Sequence, residues 1–384
     1  MEPSPENRSS TEGGKASPAR RWPRLMLAVA VVALLAAGCS SSDDDDSASG
    51  GNDAKAATCQ GKTGEKQTPA DYGSDNPDGT GKKVGMVFDI GGKDDKSFNE
   101  SAFDGITAAA DNMKISAKEL EPSADGSNRE ALLRQLAQDG YGLVIGVGFN
   151  FAEVLDKVAK DYPDTKFAIV DSVVDEPNVA SLTFAEEQGS YLVGAAAAQS
   201  TETDQVGFMG GVETELIKKF QAGYEAGVAK VNSDVKVDVK YITPDGDFSG
   251  FNDPAKGETI SAGLYDAGDD VVFHAAGGSG TGLFKAAASA DRLAIGVDSN
   301  QYFQVPADQQ KCMLSSMVKR VDVAVYDTIK DWVGDEFKAG TTVFDLSNGG
   351  IDYATEGGQI KDTAQINELK QDIIDGKIKV PTAP

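Results

Sequence analysis

The chain has 384 residues, enough for two domains or one large one with ample core, and its 40% hydrophobic content is ordinary for a globular protein. Against 36 Lys and Arg stand 61 Asp and Glu, a formal net charge of −25. Such a field repels phosphate backbones and argues against nucleic-acid binding, while saying little about an uncharged small ligand.

Residues 1–24 are polar and close on Arg20-Arg21-Trp22-Pro23-Arg24. Leu25 to Ala37 is apolar, too short to span a bilayer comfortably but suited to a signal peptide. It runs into Leu35-Ala36-Ala37-Gly38-Cys39, which resembles a lipobox, with Ala36 where a leucine is usual; Cys39 would take the lipid. A secretory signal without lipid is the alternative. Residues 1–38 are therefore expected to form a lipoprotein signal peptide. Residues 39–81, rich in Ser, Asp and Gly, cannot bury enough surface to fold and are expected to be a flexible tether. With Cys39 acylated, Cys59 and Cys312 remain, an even pair that an exported protein can close into a disulfide.

From residue 82 onward the pattern alternates. Val84 to Ile90 is a buried strand, Gly91-Gly92 a turn, and Ser97-x-x-Glu100 a capping box that opens a helix with Ala102, Phe103, Ile106, Ala110 and Met113 on its apolar face. Strands at 116–121, 142–147, 166–171 and 179–184 alternate with helices from Ser127 and Asn150, and an Ala-rich helix 189–199 leads onward. A second series follows: strands 205–209, 236–242, 270–275 and 293–297, with helices around Phe220, from Pro254 to Tyr265, and over 283–290. Two βα series in succession imply two parallel-sheet lobes, 82–200 and 201–312. Residues 313–384 would return across a hinge and be shared between them, ending in a helix 365–374 and a short strand 377–380. The fold class is α/β.

Little here suits catalysis. His274 is the only histidine and lies in an apolar strand, which suits a core residue and leaves no second histidine for a paired metal site. No HExxH, CxxC pair or GxSxG elbow is present. The loop Gly277-Gly-Ser-Gly280-Thr-Gly282 lacks the Lys of a phosphate-binding loop, and Asp245-Gly-Asp247 begins a calcium loop but puts Lys256 where a bidentate Glu belongs. No cofactor and no metal is expected. In open α/β sheets, ligands bind at the carboxyl ends of the strands. Asp89, Phe98, Asn99, Asp171 and Asp298 stand at such ends, although spacing alone equally suits a core Phe98 or Phe220, a capping Asn99, turn-starting aspartates and a solvated Lys319.

The first strand–loop–helix segment resembles the signature of the basic membrane protein family, the purine nucleoside receptor A-like substrate-binding lipoproteins of bacterial ABC importers. Further matches follow in order, among them Gly146-Val-Gly-Phe149, Glu187-Gln-Gly-Ser-Tyr191, Phe251-Asn-Asp-Pro254, Ile295-Gly-Val-Asp298-Ser299 and Ser316-Met-Val-Lys319-Arg320. The resemblance covers about residues 82–376. It implies a type I periplasmic-binding-protein fold, two lobes closing on a nucleoside, purines preferred, and delivery to an ABC permease by a monomer anchored to the membrane. It further implies Phe98 and Phe220 as the two faces of a base sandwich, Asp89 and Asn99 at the base edge, and Asp171, Gly277, Asp298 and Lys319 around the ribose. A related lobe pair for another small polar ligand, such as a sugar or signalling molecule, and a surface nucleoside-processing enzyme are the rival readings.

Overall fold

The structure is a computed structural model that describes residues 56–68 and 70–384. The signal peptide, Cys39 and the first part of the tether lie outside the described residues. The first series runs β1 (Lys83–Val87), α1 (Phe98–Met113), β2 (Ser116–Leu120), α2 (Arg129–Gln138), β3 (Leu143–Gly146), α3 (Ala152–Asp161), β4 (Lys166–Val170) and β5 (Val179–Phe184). The second runs α4 (Glu186–Ser200), β6 (Gln205–Val212), α5 (Glu215–Val231), β7 (Lys236–Thr243), α6 (Pro254–Ala267), β8 (Val271–Ala275), α7 (Thr281–Ala290), β9 (Leu293–Asp298), the one-turn α8 (Ala307–Gln310) and β10 (Met313–Lys319). After them come α9 (Val321–Val333), β11 (Gly340–Phe344), β12 (Ile351–Tyr353) and α10 (Thr363–Ile374).

Two sheets of six strands result, ordered β11-β5-β4-β3-β1-β2 and β12-β10-β9-β8-β6-β7. Every pairing is parallel except β12 against β10. The central strands are apolar on both faces because each sheet is covered on both sides. Val84 and Met86 belong to one buried cluster with Ile106 and Met113 of α1, whereas Val87 and Val144 face Leu133 of α2 and Leu155 of α3. The chain passes between the sheets after β5, after β10 and after β11.

The crossover helices change sides. α4 packs on α5 and β10 of the second lobe, and α9 packs on α1 of the first. Glycine permits the α4–α5 contact: a Cβ on Gly223 would sit 2.2 Å from the carbonyl oxygen of Glu187, and one on Gly227 2.0 Å from that of Tyr191.

Leaving out the outermost strands, β2-β1-β3-β4-β5 and β7-β6-β8-β9-β10 repeat one order. Each half therefore has a switch point, between β1 and β3 and between β6 and β8, where the loops diverge and leave a crevice. The repeat puts like residues in like places. Gly148 and Gly277 each lie two residues past the third strand of their half, both at positive φ. Asp171 and Asp298 close the fourth strands at φ 65° and 62°, a left-handed conformation that aspartate tolerates better than most residues with a Cβ.

Three features differ from the sequence reading, while the expected Cys59–Cys312 disulfide is present. The polar stretch expected to be a tether up to residue 81 is held against the body from Ala57 on, whose N–H bonds Asp270 Oδ2 at 2.9 Å. Cys59 is joined to Cys312 by a disulfide on the second lobe, and Tyr72 stacks on Tyr326 of α9 at 4.4 Å on the first, so this segment straps the two lobes together. β11 escapes a periodicity search because Gly340 to Val343 are all exposed on a short edge strand. Residues 377–380 form no strand: the amides of Lys377 and Ile378 bond Asp372 O at 2.9 and 3.1 Å and close the end of α10 instead.

Candidate ligand-binding cleft

The carboxyl ends of the two sheets face each other across a cleft of about 620 Å³, part of it open to solvent. Asp89, Phe98, Asn99, Asp171, Phe220, Gly277, Asp298 and Lys319 all line it. Asp95, Phe149 and Phe251 line it as well and are not among the ligand-binding residues expected from the sequence.

Lys319 is the centre of the arrangement. Its ammonium lies 4.9 Å from the ring centroids of Phe98 and Phe184 and 5.7 Å from that of Phe220, within cation–π range of all three. Asp171 Oδ2 is 2.5 Å away and Glu186 Oε1 3.8 Å. Burial opposes its charge, but Asp171, Glu186 and Asp298 together hold its pKa above the usual lysine value. For the acids, burial dominates. It pushes Asp298 up against the opposing pull of Lys319 and the Ser97 hydroxyl, and it raises Glu186 to about 7 despite Lys319. Asp171 Oδ1 is buried with no hydrogen-bond partner among the described residues, an acceptor available to a ligand hydroxyl.

The other end of the cleft is braced by the loop after β1. Asp89 accepts from Arg129 at 2.5 Å, from Asn150 at 2.9 Å and from the amide of Ile90 at 2.8 Å. Asn99 spends both amide hydrogens, on Asp95 Oδ2 at 2.9 Å and on Ile90 O at 3.3 Å, while its oxygen accepts the Asp89 amide at 3.0 Å. The expected base-edge role is narrowed accordingly. Asn99 has no donor left for a base, and Asp89 keeps about one free acceptor position.

Ser97 does not cap α1 with its side chain; its hydroxyl donates instead to Asp298 of the other lobe. Asp95 takes over the cap, accepting the amides of Ser97 and Glu100 at 2.9 and 3.1 Å on one oxygen and that of Asn99 at 3.0 Å on the other. Burial raises Asp95 to about 6 even so. At the rim Phe149 meets Phe248 and Phe251 edge-on across the gap, with centroids 5.7 and 6.4 Å apart. A Cβ on Gly277 would come within 3.1 Å of the Phe251 carbonyl oxygen, so this wall admits only glycine comfortably.

The calcium-like stretch is a capping turn. Asp247 accepts from the amide and hydroxyl of Ser249 at 3.1 and 2.6 Å and opens a short helical turn over Phe248–Phe251. The glycine-rich loop is explained partly by packing, since a Cβ on Gly282 would collide with Pro254 O at 2.2 Å. His274 is fully buried and bonded to Gln301 at 2.9 Å.

Two α/β lobes that close a small, ring-lined cleft at their switch points define a solute-binding protein. The family model described as "ABC transporter substrate-binding protein PnrA-like" (Bmp) matches residues 82–383, and the chain belongs to this family. Among curated relatives, it is 38% identical over 323 residues to the "ABC transporter nucleoside-binding protein BmpA" of Lactococcus lactis subsp. cremoris, covering 79% of this chain and 90% of that one. It is 36% identical over 326 residues to the "CD4+ T-cell-stimulating antigen" of Listeria monocytogenes, with coverage of 78% and 88%. A crystal structure of an ABC transporter solute-binding protein from Aeropyrum pernix K1 superposes with a TM-score of 0.69 at 29% identity, covering 78% of this chain and 93% of the other. The fold is thus the two-lobed α/β architecture of periplasmic solute-binding proteins. Among the described residues no helix is long and apolar enough to cross a membrane.

Proposed function

We propose that the protein captures nucleosides, purines by preference, in the interlobe cleft and hands them to an ABC permease, working as a monomer on the extracytoplasmic face from a lipid on Cys39. The observation that carries this reading is the chemistry around Lys319. Phe98 and Phe220 both offer rings within cation–π range of one ammonium, and Asp171 beside it has an oxygen with no partner among the described residues. A base takes the rings, with stacking worth about 1–3 kcal/mol per base. The ribose hydroxyls take the carboxylates, at about 1.5–3 kcal/mol for a hydrogen bond to a charged group. The name of the Lactococcus relative supports the same ligand class.

No step of bond cleavage is proposed. His274 is sealed from solvent, so a histidine base has no access to the cleft. Titration calorimetry with inosine, guanosine, ribose and arabinose tests the reading. Heat from the nucleosides and none from the free sugars is the expected result; heat from sugars alone would replace it with the sugar-binding reading. Prolonged incubation with inosine should return intact inosine, and free hypoxanthine would mark an enzyme.

A further inference from the structure

We propose that Gln301, outside the cleft lining, is the latch that fastens the lobes around the ligand, and that buried His274 sets its orientation. Gln301 follows β9 in the second lobe and is fully buried. Its amide donates to Lys96 O of the first lobe at 2.7 Å. The next residue in that loop, Ser97, bonds Asp298 of the second lobe. Two consecutive residues ahead of α1 are thus held by the last residue of β9 and by one in the turn that follows it, immediately beside the cleft. Lys96 adopts φ 59°, an unfavourable conformation for a side chain with a Cβ, and the latch rewards it.

The amide group of Gln301 has only one workable orientation. Its oxygen accepts the Val297 amide at 2.8 Å and faces His274 Nε2 at 2.9 Å, so His274 must carry its proton on Nε2. With the oxygen held by two donors, the NH₂ group is turned to Lys96 O. His274 Nδ1 has no partner among the described residues, and burial lowers its pKa to about 4, so the ring stays neutral and in this tautomer at ordinary pH. Its seat is shaped for it, because a Cβ on Gly280 would fall 1.9 Å from His274 Cε1. Buried groups this fully specified act as a unit. Closing the cleft completes the Gln301–Lys96 bond, and opening it leaves the Lys96 carbonyl to water.

The test is stopped-flow binding of inosine by the full mature protein, paired with small-angle X-ray scattering without ligand. Q301A should raise the dissociation rate about tenfold and raise the association rate by no more than about twofold, since the latch closes only part of the ligand-free population. H274L should raise it about fivefold, whereas H274Q, which restores an N–H donor near the Nε2 position, should lie within about twofold of the wild type. Scattering should show a larger mean radius for ligand-free Q301A than for the wild type. Unchanged dissociation in Q301A with unchanged scattering overturns the latch, and H274Q as impaired as H274L overturns the role of His274. The inosine arm rests on the nucleoside reading. If the wild type gives no signal with inosine, that reading fails, and scattering alone decides: a larger Q301A radius supports the latch and identical curves overturn it.

Discussion

Lys319 at the end of β10 and Asp171 just past β4 meet at 2.5 Å across the gap between the two sheets, both side chains almost wholly buried. The pair joins the halves at the point where the cleft is deepest in charge. It also leaves the ammonium with a surplus of acids, since Glu186 and Asp298 share it. A buried cation stripped of one partner is costly, and so is a carboxylate stripped of its cation.

Removing Lys319 therefore does more than delete a contact. Lys319→Met leaves three acids without their common counter-charge. It is expected to weaken inosine binding at least about tenfold, as are Phe98→Ala and Asp298→Ala. Calorimetry on folded variants measures this, with circular dichroism to show that the fold is intact.

The loop after β1 gives a second expectation. Arg129 and Asp89 form a mostly buried pair, with side chains 12% and 11% exposed. Arg129→Met leaves the Asp89 charge stranded and should cost about 3 kcal/mol of stability. Chemical denaturation would register it as a lower midpoint with an unchanged slope. A midpoint equal to the wild type would mean that Asp89 does not depend on Arg129.

Stability should depend on pH with a definite sign. Burial raises Glu186 to about 7 and Asp95 to about 6. A carboxyl whose folded pKa exceeds its unfolded value contributes fully below the unfolded value and loses that contribution as pH rises through the folded one. The melting temperature should therefore be higher near pH 5 than near pH 8. Glu186→Gln should flatten this slope, by about 1–2 °C per kcal/mol in a protein larger than about 250 residues. Differential scanning calorimetry across that range is the measurement.

Phosphorylated ligands should be rejected. Lys319, the cation lining the cleft, is already paired with Asp171, and Arg129 behind the lining is paired with Asp89. At the mouth Glu213, Glu215 and Asp245 face Lys218, which lies 3.6 Å from Glu213 and 3.5 Å from Glu215. Inosine 5′-monophosphate should bind at least about a hundredfold more weakly than inosine, because its phosphate meets uncompensated acids. Competition against bound inosine reads this directly.

The disulfide closes a span of 253 residues, so it constrains the unfolded chain strongly. Reduction, or Cys59→Ser, should lower stability by about 2–5 kcal/mol and free the segment before Tyr72. Hydrogen exchange should then show lost protection at Cys59 and Gly61, whose amides are bonded to Asp291 and Lys311.

What was legible in the sequence follows from locality. Continuous apolar runs such as Leu143–Gly146 and Leu293–Asp298 announce strands buried on both faces, and the carboxyl-end rule puts Phe98, Asp171 and Asp298 at one edge. What was not legible depends on partners far along the chain. Ser97 reads as a cap until Asp298, 201 residues away, claims its hydroxyl and Asp95 takes its place. Gln301 shows no local signal at all, because its meaning lies in Lys96, 205 residues earlier. Cys59 and Cys312 were readable as a pair from cysteine count, but the course of the strap between the lobes was not, since residues 56–81 carry no periodicity.

A crystal structure of the mature protein grown with inosine decides where the ligand sits. The base should lie between Phe98 and Phe220, with ribose hydroxyls on Asp171 and Asp298. Inosine bound elsewhere, or a cleft filled by a ligand that leaves both rings untouched, would contradict that placement.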